Sequence, residues 1–143
     1  MVDKVIIGSD HAGYELKSKV IKELRSKGLE VVDCGTDSTE STDYPDFAHL
    51  VGKSVQRAEG LGVVICGSGN GVNMTVNKYS NVRGALCWTP EIAELARQHN
   101  DANVLAIPAR YVDDETAFSM VDAFLSTEFE GGRHERRVNK INC

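Results

Sequence analysis

Five short apolar runs, separated by amphipathic segments, dominate the hydrophobic pattern of the chain. Strands are predicted at residues 4–9, 29–34, 61–66, 82–87 and 104–107. The runs carry little of the apolar–polar alternation expected of a strand with one solvated face. They therefore favour a parallel sheet that is covered on both faces, as in α/β proteins.

The intervening segments have helical spacing. Between residues 13 and 27, for example, Leu16, Val20, Ile21 and Leu24 form one apolar stripe. Helices are predicted at residues 13–27, 47–58, 72–78, 90–99 and 113–126, and a polar loop at residues 35–46. Right-handed crossovers then give a three-layer αβα, doubly wound, Rossmann-like domain with a five-stranded parallel sheet. In such a fold, ligands bind beyond the carboxyl ends of the strands, near the switch in strand order.

Composition is that of one globular domain. The chain has 143 residues, of which 41% are hydrophobic, so we predict a single domain over residues 1–143 with a basic C-terminal segment at 130–143. The net charge of −5 argues against a nucleic-acid binder. No apolar run approaches the ~20 residues that cross a bilayer, and the N-terminus lacks signal-peptide features, which favours a cytoplasmic location. Large apolar residues, including Met74, Trp88 and Met120, are assigned to the core.

The four cysteines are Cys34, Cys66, Cys87 and Cys143, and they are widely spaced. The chain has no Cys-x-x-Cys pair and no nearby histidine pair, so no metal site is predicted. Reduced and mostly buried thiols are the simplest interpretation for Cys34 and Cys87.

Cys66 stands in a different context, because glycines follow it at every second position: Gly67, Gly69 and Gly71. The segment is neither a Walker loop nor a Gly-x-Gly-x-x-Gly fingerprint, which disfavours a nucleotide site. It is either a tight turn or a cradle of backbone N–H groups for an oxyanion or a phosphate. In the second case, Cys66 is a base or a nucleophile at the edge of that cradle.

Three further polar segments carry candidate residues. Asp10 and His11 follow the first strand, as a helix cap or as the edge of a pocket. His99 lies in a polar segment that is either an ordinary helix end or part of a site. Arg133 and Arg137 lie in a basic segment and share one face if it is helical, so they form either a solvated tail or a phosphate-binding pair.

Several segments together indicate a family. They are GSDHAGY at residues 8–14, DYPD at 43–46, CGSGNG at 66–71, RQHNDANVL at 97–105 and EGGRHERRV at 130–138. In these segments the chain resembles the type B ribose-5-phosphate isomerases, within the family that also holds the galactose-6-phosphate isomerase subunits. The resemblance runs over nearly the whole chain. It implies interconversion of D-ribose 5-phosphate and D-ribulose 5-phosphate in the pentose phosphate pathway, with neither a metal nor an organic cofactor.

The resemblance also implies roles for individual residues. Cys66 would be the base that moves the proton, and His99 the acid that opens the furanose ring. Ser68 and Asp10 would assist, and the backbone of residues 67–71 would stabilise the enediolate. The implied substrate-binding residues are Asp10, His11, Tyr44, Gly67, Ser68, Gly69, Asn70, Gly71, Asn100, Arg110, Arg133 and Arg137.

Family members are homodimers or homotetramers with sites at the subunit interface, so the resemblance allows the stretch from residue 99 to 110 to come from a partner chain. The chain departs from the family pattern at Ser68, usually threonine, and at Asn70 and Asn73. A six-carbon substrate, allose or galactose 6-phosphate, is the alternative within this class. Outside it stand a transferase that uses Cys66 as a nucleophile and a module that only binds sugar phosphates.

Overall fold

The sheet is the centre of the computed structural model, which describes residues 2–142. Within them, five strands form one sheet: β1 (Lys4–Ser9), β2 (Glu30–Asp33), β3 (Leu61–Cys66), β4 (Gly84–Leu86) and β5 (Val104–Pro108). Their order is β2-β1-β3-β5-β4, and every neighbouring pair is parallel. The predicted five-stranded parallel sheet is confirmed. Cys143 lies outside the described residues.

Helices connect the strands and follow the last one. They are α1 (Tyr14–Ser26), α2 (Tyr44–Gln56), α3 (Asn70–Val76), α4 (Pro90–Asn100), α5 (Asp114–Ser126) and α6 (Arg133–Asn139), with a short 3₁₀ turn at His11–Gly13. Two helices begin earlier than predicted. In α2, Pro45 occupies the first turn, where its missing N–H costs nothing. In α3, the left-handed Gly69 immediately precedes the first helical residue.

The direction of each crossover sets the face on which its helix packs. Connections from β1 to β2 and from β4 to β5 move one way along the sheet, whereas those from β2 to β3 and from β3 to β4 move the other way. Because crossovers are right-handed, the two groups of helices cover opposite faces. Helices α1, α4 and α5 pack on one apolar cluster, and α2 and α3 pack on the other. The three-layer αβα architecture is therefore confirmed.

Burial agrees with the prediction at one of three large apolar side chains and differs from it at two. Met120 is fully buried as expected, but Met74 is 66% and Trp88 56% exposed. Met74 lies on the short helix α3 and Trp88 follows β4, the three-residue strand at the sheet edge. Assigning these two residues to the core is therefore wrong. No helix within residues 2–142 is both long enough and apolar enough to cross a membrane.

The carboxyl and amino ends of the strands carry different groups of residues. Chain connections diverge from β1 and β3, so the crevice of this fold lies at their carboxyl ends, beside Asp10 and Cys66. Helix α4 runs back to the amino ends of the strands, because it joins the parallel strands β4 and β5. Backbone bonds from Gly62 to Asn103 and from Asn103 to Arg83 place the residues after α4 beside the starts of β3 and β4.

Candidate active site

A pocket of about 370 Å³ lies at this crevice, at the carboxyl ends of β1, β3 and β5. Its lining residues come from four separate segments of the chain. They are Asp10, His11, Ala12, Tyr44, Cys66, Gly67, Ser68, Gly71, Arg110 and Tyr111. The structure thus brings together most of the residues predicted from the polar segments after β1 and β3, and it adds Tyr111, which the sequence analysis missed.

Cys66 is the last residue of β3 and is 6% exposed. The backbone N–H of Gly69 donates to its Sγ atom at 3.2 Å. An N–H donor on the sulfur stabilises negative charge there, as a thiolate base requires. Burial raises the pKa of Cys87 to about 12, and burial together with the Asp33 carboxylate raises that of Cys34. Of these three thiols, only Cys66 lines the pocket.

The alternating glycines have three separate structural reasons. A Cβ on Gly67 would lie 3.1 Å from the Arg110 guanidinium, so this glycine leaves room for that side chain. Gly69 has φ of +76°, and a Cβ there would lie 2.5 Å from the Leu86 side chain. A Cβ on Gly71 would lie 2.5 Å from the ring of Tyr44. The turn therefore lets two pocket side chains, Arg110 and Tyr44, approach its backbone closely, which a tight turn alone does not need.

Ser68 and Asn70 are joined at the mouth of this turn. The backbone N–H and the side-chain amide of Asn70 both donate to Ser68 Oγ at 3.3 Å. Asn73 lies one turn further along α3, where its side chain faces Gly84 of β4. The side chain of Asn77 also bonds both backbone groups of Gly84, at 2.9 and 3.2 Å. Asn73 therefore belongs to the contact between α3 and the edge strand, away from the pocket.

Asp10 and His11 are held by local hydrogen bonds. Asp10 is 7% exposed, and its Oδ1 atom accepts the N–H groups of Ala12 and Gly13 at 3.0 and 3.1 Å. His11 exchanges two bonds with Thr42: its N–H donates to the threonine Oγ1, and its Nδ1 accepts the threonine N–H at 3.1 Å. In the neutral ring the proton is therefore on Nε2, which becomes a donor. Nothing in the sequence marks Thr42, because the pairing spans 31 residues.

The remaining predicted residues form a second group at the other end of α4. His99 stacks on His134 of α6 with ring centroids 4.4 Å apart and an interplanar angle of 13°. Burial, followed by the charges of His99 and Arg133, lowers the pKa of His134. Arg133 and Arg137 lie exposed on the same short helix. This group does not line the Cys66 pocket.

Asn100 also lies apart from the Cys66 pocket. It lines a separate cavity, and its carbonyl oxygen accepts a bond from Arg83 Nε at 3.1 Å. Arg110, in contrast, lines the Cys66 pocket of its own chain. The stretch from residue 99 to 110 is therefore divided, and only its first residues lie at the far edge.

One cluster in the described part of the chain contains potential metal ligands. The ligand atoms of His99, Glu130 and His134 all lie within 4.8 Å of one another. However, His134 Nε2 already lies 3.5 Å from the Glu130 carboxylate. Arg133 and Arg137 flank the cluster and disfavour a cation. The surroundings suit an anion better.

Fold and pocket together define a class: doubly wound α/β proteins that hold a small polar ligand at the switch point, beside a thiol and a glycine-rich turn. Comparison with known proteins then identifies the family. The family model described as Ribose/Galactose Isomerase matches residues 5–141, and the chain belongs to this family.

Relatives and solved structures agree with this assignment. The ribose-5-phosphate isomerase B of Escherichia coli is 45% identical over 141 residues, which cover 98% of this chain and 95% of that protein. A crystal structure of a ribose 5-phosphate isomerase from Thermotoga maritima has a TM-score of 0.95 at 51% identity, covering 97% of both chains. The enzyme from Mycoplasma genitalium, solved with bound ribulose-5-phosphate, has a TM-score of 0.93 at 45% identity and covers 96% and 93%. The resemblance noted in the sequence is confirmed.

Proposed function

We propose that the chain is an aldose–ketose isomerase that interconverts D-ribose 5-phosphate and D-ribulose 5-phosphate through an enediolate. The observation that carries the proposal is the Cys66 thiol, which lines the pocket with the Gly69 N–H donating to its sulfur. The relatives named ribose-5-phosphate isomerase B support the five-carbon substrate. A cytoplasmic enzyme of the pentose phosphate pathway follows from the same proposal.

Cys66 is the proton carrier in this mechanism. Its thiolate removes the proton from C2 of the open-chain aldose, and the two electrons of that C–H bond form the enediolate. The same thiol then returns the proton to C1, while a proton moves from O2 to O1. No electron leaves the substrate, so neither an oxidant nor a covalent intermediate is required. One base suffices because C1 and C2 present the same face of a planar intermediate.

Charge on the substrate oxygens is met by donors along the turn. Ser68 and the backbone N–H groups of residues 67–71 stabilise the enediolate, apart from those of Gly69 and Asn70, which donate to Cys66 Sγ and Ser68 Oγ. One such donor is worth about 3 kcal/mol. Arg110, whose guanidinium lies against Gly67, and the His11 Nε2–H bind the phosphate. Tyr44 forms a side wall against Gly71. These contacts hold C1 and C2 beside the Cys66 sulfur.

Ring opening requires the second group of residues. His99 acts as the acid, and Arg133 and Arg137 complete the phosphate site, although all three lie away from the pocket of their own chain. We therefore place them in the pocket of a partner subunit, within a homodimer or a homotetramer. The exposed side chains of Met74, Trp88 and Tyr111, which are 56–77% exposed, support an interface near the pocket.

Turnover and proton exchange test the role of Cys66. Wild-type protein should isomerise ribose 5-phosphate, and Cys66→Ala should lower kcat by about 10²- to 10⁴-fold. Cys34→Ala is the matched control, because that thiol lies outside the pocket. In D₂O, wild-type protein should exchange a C1 proton of ribulose 5-phosphate, which is open-chain because its O5 is phosphorylated. A Cys66→Ala variant with near-normal exchange would refute the assignment. Allose 6-phosphate, assayed alongside, should be the poorer substrate.

Complementation tests the shared site. Cys66→Ala and His99→Asn homodimers should each be inactive in isomerising ribose 5-phosphate. In a one-to-one mixture, about half of the dimers are heterodimers, and each heterodimer has one intact composite site out of two. About a quarter of wild-type activity should therefore return. Active sites built from a single chain predict no recovery, since neither protomer would then contain both residues.

The two variants should also differ in deuterium exchange. His99→Asn should retain exchange into open-chain ribulose 5-phosphate, because it removes only ring opening. Loss of exchange in this variant, with the protein still folded by circular dichroism, would contradict the role given to His99.

A further inference from the structure

We propose that Asn70 is a positioning residue, which orients the Ser68 hydroxyl so that its proton is donated into the pocket. This inference rests on the proposed isomerase function and assigns a separate task to one side chain within it. It also gives a role to Asn70, one of the departures from the family pattern. Asn70 is the first residue of α3, immediately after the left-handed Gly69.

Hydrogen-bond geometry at Ser68 carries the argument. A serine hydroxyl has one proton to donate and two lone pairs to accept with. Both N–H donors of Asn70, backbone and side chain, lie 3.3 Å from Ser68 Oγ. With its lone pairs engaged by Asn70, the hydroxyl is left with only its proton, which it must donate elsewhere.

Location decides what receives that proton. Ser68 lines the pocket and Asn70 does not, so the hydroxyl stands between its positioning residue and the substrate. Asn70 therefore acts on the reaction only through Ser68. In the proposed mechanism the recipient is a sugar oxygen, either the ring oxygen during opening or an enediolate oxygen afterwards.

The polarity of the Asn70 side chain is the essential property. A carboxylate of nearly the same shape would accept a proton from Ser68, since an ionised carboxyl group has no donor. Asn70→Asp should consequently turn the hydroxyl away from the substrate, whereas Asn70→Leu should merely release it. Both substitutions are at an exposed position, so the folded state should survive them.

A double-mutant cycle tests the inference on ribose 5-phosphate. Asn70→Leu should lower kcat by about two- to tenfold, the effect of one neutral hydrogen bond, with a smaller change in KM. Asn70→Asp should lose more than Asn70→Leu. In a Ser68→Ala background, Asn70→Leu should cause no further loss. Asn73→Ala is the matched control, since Asn73 faces Gly84 and should leave kcat unchanged in both backgrounds.

Each outcome separates the inference from the function beneath it. If wild-type protein isomerises ribose 5-phosphate but Asn70→Leu costs the same factor with Ser68 and with Ala at position 68, Asn70 acts structurally and the inference is overturned. Asn70→Asp at least as active as Asn70→Leu would overturn it too. A wild-type chain that folds but does not isomerise ribose 5-phosphate overturns the proposed function, and this inference with it.

Discussion

Gly71→Ala should separate stability from activity in this protein. Gly71 is the second residue of α3, where alanine is the better helix former. The added Cβ would lie 2.5 Å from two atoms of the Tyr44 ring, a distance that real Cβ contacts do not show. One of the two groups must therefore move, and Tyr44 can do so because its side chain is 39% exposed.

The energetic terms have opposite signs for folding. Replacing glycine by alanine within a helix gains up to about 1 kcal/mol. Displacing a partly exposed tyrosine loses a fraction of the 1.5–3 kcal/mol that full burial of a large side chain is worth, about 1 kcal/mol. The two terms nearly cancel, so the melting temperature should stay within about 4 °C of wild type. Tyr44 is nevertheless moved from the pocket wall, and kcat/KM should fall by about tenfold or more, or about 1.4 kcal/mol.

Thermal unfolding by circular dichroism and steady-state kinetics on ribose 5-phosphate measure the two effects. Tyr44→Ala provides the matched background, because without the ring the new methyl group meets no obstacle there. Gly71→Ala should then cause no further loss of kcat/KM. Full activity of Gly71→Ala alone would refute the close approach of Tyr44, and a fall in melting temperature of more than about 10 °C would show that the ring cannot swing outward.

Three further predictions concern stability and thiol chemistry. Gly69→Ala places a side chain at φ of +76° against Leu86, so it should destabilise folding by about 2–5 kcal/mol in urea unfolding; a loss below about 1 kcal/mol would contradict the geometry. Asp33→Ala leaves the Lys17 ammonium, which is 1% exposed and 2.6 Å from Asp33, buried without its partner, and should lower the free energy of unfolding by about 3–5 kcal/mol. Lys17→Met leaves only a hydrated carboxylate and should lower it by less than about 1 kcal/mol. Equal losses in the two variants would refute this asymmetry. Burial raises the pKa of Cys87 from 9.0 to about 12, so iodoacetamide should not label Cys87 in the folded protein at pH 8. The free energy of unfolding should also fall as pH rises above 9, because there the Cys87 thiol ionises only in the unfolded chain.

Local signals predicted the fold well where they were repeated, and less well at the ends of elements. Unbroken apolar strands predicted a covered parallel sheet. Helix α2 began three residues early because Pro45, interpreted as a loop residue, occupies a first helical turn. Met74 and Trp88 misled because hydrophobicity alone cannot distinguish a buried core residue from an exposed apolar one.

Within the site, predictability followed sequence distance. The glycine turn was recognisable because Cys66 and its three glycines are contiguous, and the pocket formed by the ends of β1 and β3 follows from the rule for doubly wound sheets. Thr42 was not recognisable, because its bonds to His11 join residues 31 positions apart. Asn73 is close to the turn in sequence and departs from the family pattern, but the helix directs its side chain toward Gly84.

The order of strands and helices places Cys66 and His99 at opposite ends of the strands. Cys66 is the last residue of β3, so it lies at the carboxyl end. His99 is next to the last residue of a helix that joins two parallel strands, and such a helix must run back to the opposite edge. A strand of five or six residues spans about 17–20 Å, too far for one imidazole to reach a sugar held beside Cys66. If both residues act on one substrate molecule, two chains must supply them, and the alternation of strands and helices already contains that requirement.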